Sequence, residues 1–259
     1  MNNFVKPKKK LGQHFLKDKN IAIKIVDSLT GYENYSDVVE VGPGMGVLSD
    51  ILINEKKWNW YGIEVDSESI EFLKEKYPEE NANIIEDDFL KVNFKDYLDE
   101  KQFAIIGNFP YNISSQILFK MLENREQIPE LVGMFQKEVA LRVSAGPGSK
   151  TYGILSVLCK AFYSVECLFH VSENVFNPPP KVKSSVIRLQ RKTDFKLPCD
   201  EKVFFSVVKT AFNQRRKTLR NSLKSMNIDW SALPENLPGL RPEQLPVESF
   251  FELAMAASV

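Results

Sequence analysis

The sequence predicts an α/β chain, a doubly wound and mostly parallel sheet followed by a small all-helical C-terminal domain. Three observations predict it. Short β-branched apolar runs alternate with helix-period segments through the first two-thirds of the chain, as strand–helix–strand units require. One strand, Asp37–Val41, runs straight into a cluster of glycines. Beyond a break at residues 194–198 the pattern turns wholly helical. The expected domains are therefore residues 1–193 and 194–259.

The elements follow in order. Asn20–Leu29 reads as a helix because Ile21, Ile25 and Leu29 recur at helical spacing. Asp37–Val41 is a buried strand, leading through the glycine turn into a helix from Val47 to Asn54. Trp58–Glu64 is the next strand, and Ser67–Tyr77 is an amphipathic helix capped by Asp66 or Ser67. Asn83–Ile85 and Phe103–Gly107 add two strands. Ile113–Asn124 is helical, Leu131–Gln136 is a strand, and Lys137–Ser144 is helical again. The β-branched run Ser184–Leu189 supplies a late edge strand. After the linker come helices at Glu201–Phe212, Arg215–Met226 and Pro242–Ala256, the last set off by a loop holding Pro234 and Pro238. No internal repeat or low-complexity tract interrupts this order.

Composition narrows the function classes. No apolar run approaches the roughly 18 residues a membrane span needs, so no membrane association is expected. The first ten residues are polar and basic, unlike a secretory signal. Cys159, Cys167 and Cys199 lack paired spacing and read as free thiols of a cytoplasmic protein. With His14 and His170 the only histidines and far apart, no metal site is expected. The net charge is zero, but the charge is segregated. Seven lysines face Asp18 alone between Lys6 and Lys24, and thirteen Lys or Arg face three acids between Lys181 and Lys224. Residues 64–100 are acidic in return. Such segregation fits a nucleic-acid footprint as well as ordinary solvated helix faces.

The glycine turn Gly42-Pro43-Gly44-Met45-Gly46 lets the backbone bend sharply and lets a ligand approach without a Cβ in the way. Val47 stands where a dinucleotide fingerprint wants its last glycine, and Glu40 precedes the turn. This spacing suits a nucleoside carrying an amino-acid tail better than one carrying a pyrophosphate. About twenty residues on, Glu64 ends a strand where a carboxylate can accept both ribose hydroxyl protons. At the end of a further strand, Asp87 or Asp88 with Phe89 can grip an adenine amine and ring. Together these read as a Rossmann-like class I S-adenosyl-L-methionine pocket at the carboxyl edge of the sheet.

Gly107-Asn108-Phe109-Pro110-Tyr111 ends the neighbouring strand. An exocyclic amine on an aromatic ring is a poor nucleophile because its lone pair is delocalised. The Asn108 side-chain oxygen and the Phe109 carbonyl, held by the following proline, can each accept one of its N–H bonds. That localises the lone pair toward a methyl donor. Tyr111 offers a ring face for an extruded base. Downstream, Phe176 precedes three prolines and either anchors a rigid loop or closes the other face of the base.

Five segments carry a resemblance: Lys10–Leu16, Val39–Gly44, Gly107–Ser114, Asn177–Val182 and Phe212–Asn221. The chain resembles the bacterial 16S ribosomal RNA adenine N6,N6-dimethyltransferases from Lys9 to about Leu253. The resemblance implies dimethylation of two adjacent adenosines in a hairpin loop near the 3′ end of 16S rRNA, in a small-subunit precursor. It implies that Gln13, His14 and Leu16 line the cofactor site, with Gly42 and Gly44 at the turn. Glu64 becomes the ribose acid, Asp88 and Phe89 the adenine grip, Asn108 and Tyr111 the catalytic pair, and Phe176 the target-base stacker. Phe109 stands where leucine is commoner in the family, and Asp87 leaves the adenine acid open by one position. Arg215, Arg216, Lys217, Arg220 and Lys224, read as one basic helix, suit RNA phosphates. A monomer is expected. The alternatives are a 23S rRNA adenine methyltransferase of the resistance type and a non-catalytic assembly factor that keeps the fold.

Overall fold

The structure is a computed structural model and describes residues 5–193 and 195–257. Asp194, where the expected linker opens, lies outside the described residues. The chain divides into two compact units. One comprises the described residues up to Ala140 together with Glu166–Arg191, the other Leu141–Val165 with those from Lys192 onward.

The first unit opens with β1 (Phe15–Leu16) and α1 (Lys19–Val26), whose first amides are capped by the Asp18 carboxylate. There follow β2 (Asp37–Val41), α2 (Ser49–Glu55), β3 (Asn59–Glu64), α3 (Ser67–Lys76), β4 (Ile84–Glu86) and α4 (Lys95–Leu98). Then come β5 (Phe103–Asn108), α5 (Ser114–Glu123), β6 (Glu130–Gln136) and α6 (Lys137–Ser144). Along the chain then follow α7 (Ile154–Phe162), which belongs to the second unit, and β7 (Tyr163–Val171), β8 (Phe176–Asn177) and β9 (Ser184–Arg191). The seven-stranded sheet has the order β4-β3-β2-β5-β6-β9-β7, and β1 pairs with β8 in a separate two-stranded sheet. Strands β2 to β6 are parallel, and β9 runs antiparallel to β6. All five residues of β2 are buried, as a central parallel strand covered on both faces requires. The strand order reverses between β2 and β5, so a crevice opens at their carboxyl ends.

Ser184–Leu189 was expected at the sheet edge, and the structure corrects this. β9 lies between β6 and β7, and β7 takes the edge. The edge strand is hidden in the sequence because the apolar run of α7 flows into it with no Gly or Pro between.

In the second unit, α8 (Glu201–Asn213), α9 (Leu219–Ser222) and α10 (Val247–Met255) accompany α7. Phe162 of α7 meets Phe204 and Phe205 of α8 at ring centroid separations of 6.3 and 6.2 Å, which draws residues 141–165 into this unit rather than the first. The expected continuous helix Arg215–Met226 is absent. Residues 214–217 form a turn, Thr218 is extended at φ −66° and ψ 156°, and only one helical turn follows. The fully buried Leu219 donates its amide to the Leu240 carbonyl, so tertiary packing overrides the local helical pattern. The last expected helix is likewise shortened by Pro246 to Val247–Met255.

Candidate active site

A cleft open to solvent lies at the carboxyl ends of β2, β3, β4 and β5. Each strand end contributes a loop, and the segment Leu11–Phe15 closes the fifth side. The cleft is built from the inside out by the glycine turn after β2. Gly42 and Gly44 both sit at positive φ (65° and 57°), where a side chain would strain the turn. A Cβ on Gly44 would also stand 2.8 Å from the Phe15 ring, so the turn and the N-terminal segment touch.

Glu64, at the end of β3, is 4% exposed. Its Oε2 accepts the Gly44 amide at 3.0 Å, and its Oε1 accepts the amides of Val65 and Asp66 at 2.9 Å each. Burial pushes its carboxyl up, and the three amides oppose that shift. A carboxylate has about four acceptor positions, so about one is left, on Oε2, rather than the two that binding both ribose hydroxyls asks for. Asp66 neither caps α3 with its side chain nor lines the cleft. It is paired with Lys8 and bonded to Gln13 Nε2 at 3.2 Å and Ser69 Oγ at 3.0 Å, which ties the N-terminal segment to the end of β3.

Asp87, Asp88 and Phe89 all border the cleft after β4. Asp87 Oδ1 accepts the Asp88 amide at 2.7 Å and Asp88 Oδ1 accepts the Leu90 amide at 3.1 Å, so both carboxylates are fixed by their own loop. Lys91 Nζ lies 3.3 Å from Asp88. Glu40, read in the sequence as a companion of the pocket, is instead a buried brace. Its Oε2 accepts from Ser49 Oγ at 2.7 Å and Trp60 Nε1 at 2.8 Å.

Asn108, the last residue of β5, donates from Nδ2 to the His14 carbonyl at 2.8 Å. That bond fixes the amide plane and leaves Oδ1 as the acceptor. Phe109 borders the same cleft while its ring is 1% exposed, packed edge-on against Phe135 at 4.9 Å. His14 lines the cleft, and its Nδ1 lies 2.8 Å from the Pro178 carbonyl, an acceptor, so Nδ1 carries the proton.

Several expected residues fall elsewhere. Leu16 points into the hydrophobic core rather than the cleft, and Leu11, Gly12 and Phe15 take lining positions that sequence reasoning missed. Phe176 pairs across from Leu16 in the two-stranded sheet and is 1% exposed in the same core. Its ring is a loop anchor here and has no face free for a base. Tyr111 is half-buried beside the cleft rather than lining it. Among the basic residues of the second unit, Arg216, Lys217, Arg220 and Lys224 are exposed. Arg215 instead donates to the carbonyls of Lys150 at 2.6 Å and Ser149 at 3.1 Å. Among the described residues no group of His, Cys, Asp and Glu could hold a metal ion, and no helix is long and apolar enough to cross a membrane.

A doubly wound sheet with a glycine turn, a buried acid at the next strand end and an Asn-Phe-Pro-Tyr motif beside them defines a Rossmann-like class I methyltransferase using S-adenosyl-L-methionine. The family model described as Ribosomal RNA adenine dimethylase matches residues 4–236, and the chain belongs to that family. Ribosomal RNA small subunit methyltransferase A of Flavobacterium johnsoniae is 59% identical over 249 residues, 96% of this chain and 95% of that one. A dimethyladenosine transferase from Plasmodium falciparum superposes with a TM-score of 0.76 at 26% identity, covering 93% of this chain and 96% of its own. The 23S rRNA methyltransferase ErmE shares the fold (TM-score 0.68, 23% identity, covering 93% and 99%).

Proposed function

We propose that this enzyme dimethylates the N6 amines of two adjacent adenosines in a hairpin loop near the 3′ end of 16S rRNA, acting on a small-subunit precursor in the cytoplasm. The observation that carries the reading is the pinned Asn108 amide, with its oxygen left as acceptor at the strand end that borders the cleft. Asn108 Oδ1 and the Phe109 carbonyl each accept an N–H bond from the incoming amine, localising its lone pair. Tyr111 stacks on the extruded base. Bound S-adenosyl-L-methionine supplies a methyl group on a sulfonium, which needs no further activation. The Glu64 carboxylate takes a ribose hydroxyl on its remaining acceptor position, and Asp87 or Asp88 takes the adenine amine of the donor. Catalysis is chiefly positioning. The 59% identity to a small-subunit methyltransferase supports the 16S substrate over a 23S one.

Asn108→Ala is expected to lower methyl transfer about 100-fold or more, the scale of losing one preorganised partner of a reacting group. RNA affinity and S-adenosyl-L-methionine affinity should stay within severalfold. Radiolabelled methyl transfer to purified ribosomal particles, with the labelled adenines mapped, tests both parts. Wild-type turnover by Asn108→Ala would overturn the mechanism, and label in 23S rather than 16S rRNA would overturn the substrate.

A further inference from the structure

The hydroxyl of Tyr111 lies 2.6 Å from Ser184 Oγ. Ser184 is fully buried, opens β9, and pairs with Gln136 at the carboxyl end of β6. The Tyr111 ring also leans on His14, with centroids 5.4 Å apart and planes inclined by 31°. Its carbonyl accepts from Ser114 Oγ at 3.1 Å, which fixes the main chain at the start of α5. The ring is thus held at its backbone, along one face and at its tip. Stacking on a base does not require the bond at the tip, because a phenyl ring stacks as well as a phenol. Partial burial still favours a partner for this hydroxyl, and it finds one on a strand that neither the glycine turn nor the Asn108 motif belongs to. A ring fixed before substrate arrives loses less conformational freedom on binding.

We propose that Ser184 is a positioning residue for methyl transfer, acting through Tyr111: its hydroxyl fixes the phenol ring beside the cleft in the pose that receives the target adenine. The proposal rests on the reading of Tyr111 as the base-stacking residue. The segment that precedes Ser184 meets the same face a second time, at the Pro178 carbonyl bonded to His14. Residues 178–184 therefore touch the catalytic motif through one side chain and its cofactor-side neighbour through one carbonyl.

The test compares Ser184→Ala, Tyr111→Phe, their double variant and Ser184→Thr in the full chain. The substrates are S-adenosyl-L-methionine and small-subunit particles from cells lacking this enzyme. Each single variant should lower kcat about 5- to 10-fold, the scale of one hydrogen bond, with the KM for S-adenosyl-L-methionine unchanged. The double variant should fall no further than the worse single one, and Ser184→Thr should recover most of the rate. A wild-type kcat for Ser184→Ala, or losses that multiply in the double variant, would overturn the proposal, since a serine serving only β9 would act independently of the phenol. Should Ser184→Ala fail to fold, Tyr111→Phe removes the same bond without touching the strand and decides alone. Tyr111→Ala separates the two readings. Full turnover by it refutes base stacking, whereas its inactivity alongside normal Tyr111→Phe and Ser184→Ala refutes only the Ser184 tie.

Discussion

Asn108 can serve an amine only through its oxygen, because its nitrogen is committed to the His14 carbonyl at 2.8 Å. A flipped amide would set two oxygens against each other, so a main-chain atom of the N-terminal segment selects the orientation that the proposed mechanism requires. Burial is used differently at Glu40, which is 2% exposed and braces Ser49 and Trp60. Desolvation pushes its carboxyl up to about 7 from an ordinary 4.5, against the pull of those two hydrogen bonds. Between these values the folded protein holds a proton that the unfolded chain has released. The contribution of this group to stability therefore falls as pH rises from 4.5 to 7 and is flat above that. Glu40→Gln removes the titrating group, so the stability difference between variant and wild type should shift across this window by up to about 3 kcal/mol. Urea unfolding of both proteins between about pH 5 and 8 measures it, and parallel pH profiles would show that Glu40 stays ionised throughout.

At the scale of elements, the turn after β5 is shaped by its neighbour β6. A Cβ on Gly133 would meet the Phe109 ring at 2.0 Å, and one on Gly107 would meet it at 2.6 Å. The ring thus occupies space that only glycines on two adjacent strands leave, and the Asn108–Tyr111 turn inherits its position from that fit. Gly133→Ala should destabilise the protein by about 1–3 kcal/mol through overpacking. It should also lower kcat well beyond what a smaller folded fraction explains, because Phe109 cannot shift without moving Asn108. An activity loss that tracks only the soluble folded fraction would place the effect in stability alone. None of this was visible from the sequence, where Gly133 sits inside an ordinary apolar run. What was visible followed from parallel-sheet physics. Strands such as Asp37–Val41 and Phe103–Gly107 are fully buried and therefore read as apolar runs, and their ends gather Gly42, Glu64, Asp88 and Asn108 around one crevice. Long-range choices were hidden. The residues around Phe176 leave it open between anchor and base stacker, and only pairing with Leu16 decides for the core. Ser184 carried no signal at all, since its partner lies 73 residues away.

For the whole molecule, 34 basic and 34 acidic residues cancel, yet net charge does not govern binding to a polyanion. The salt dependence of RNA affinity counts the phosphates a local patch neutralises, so segregated cations bind where an even distribution would not. The basic stretch at residues 215–224 divides by structural commitment. Arg215 holds the carbonyls of Ser149 and Lys150 and lies 3.8 Å from Glu243, so its cation is turned toward its own unit. Arg216 and Lys217 are exposed on the turn that replaces the expected helix. Arg215→Ala should therefore cost about 1 kcal/mol of stability, below the usual range for charged hydrogen bonds because the side chain is 38% exposed, and change the salt slope little. The double variant Arg216→Ala, Lys217→Ala should leave the unfolding midpoint unchanged and weaken RNA binding. It should reduce the slope of log affinity against log salt by about 1 for each phosphate no longer neutralised, with S-adenosyl-L-methionine affinity unaltered. Filter binding at several salt concentrations, beside thermal unfolding of each variant, separates the two roles. An unaltered slope in the double variant would mean that this turn never meets the RNA, and the footprint would then have to be sought among the lysines between Lys6 and Lys24 or at Lys181 and Lys183.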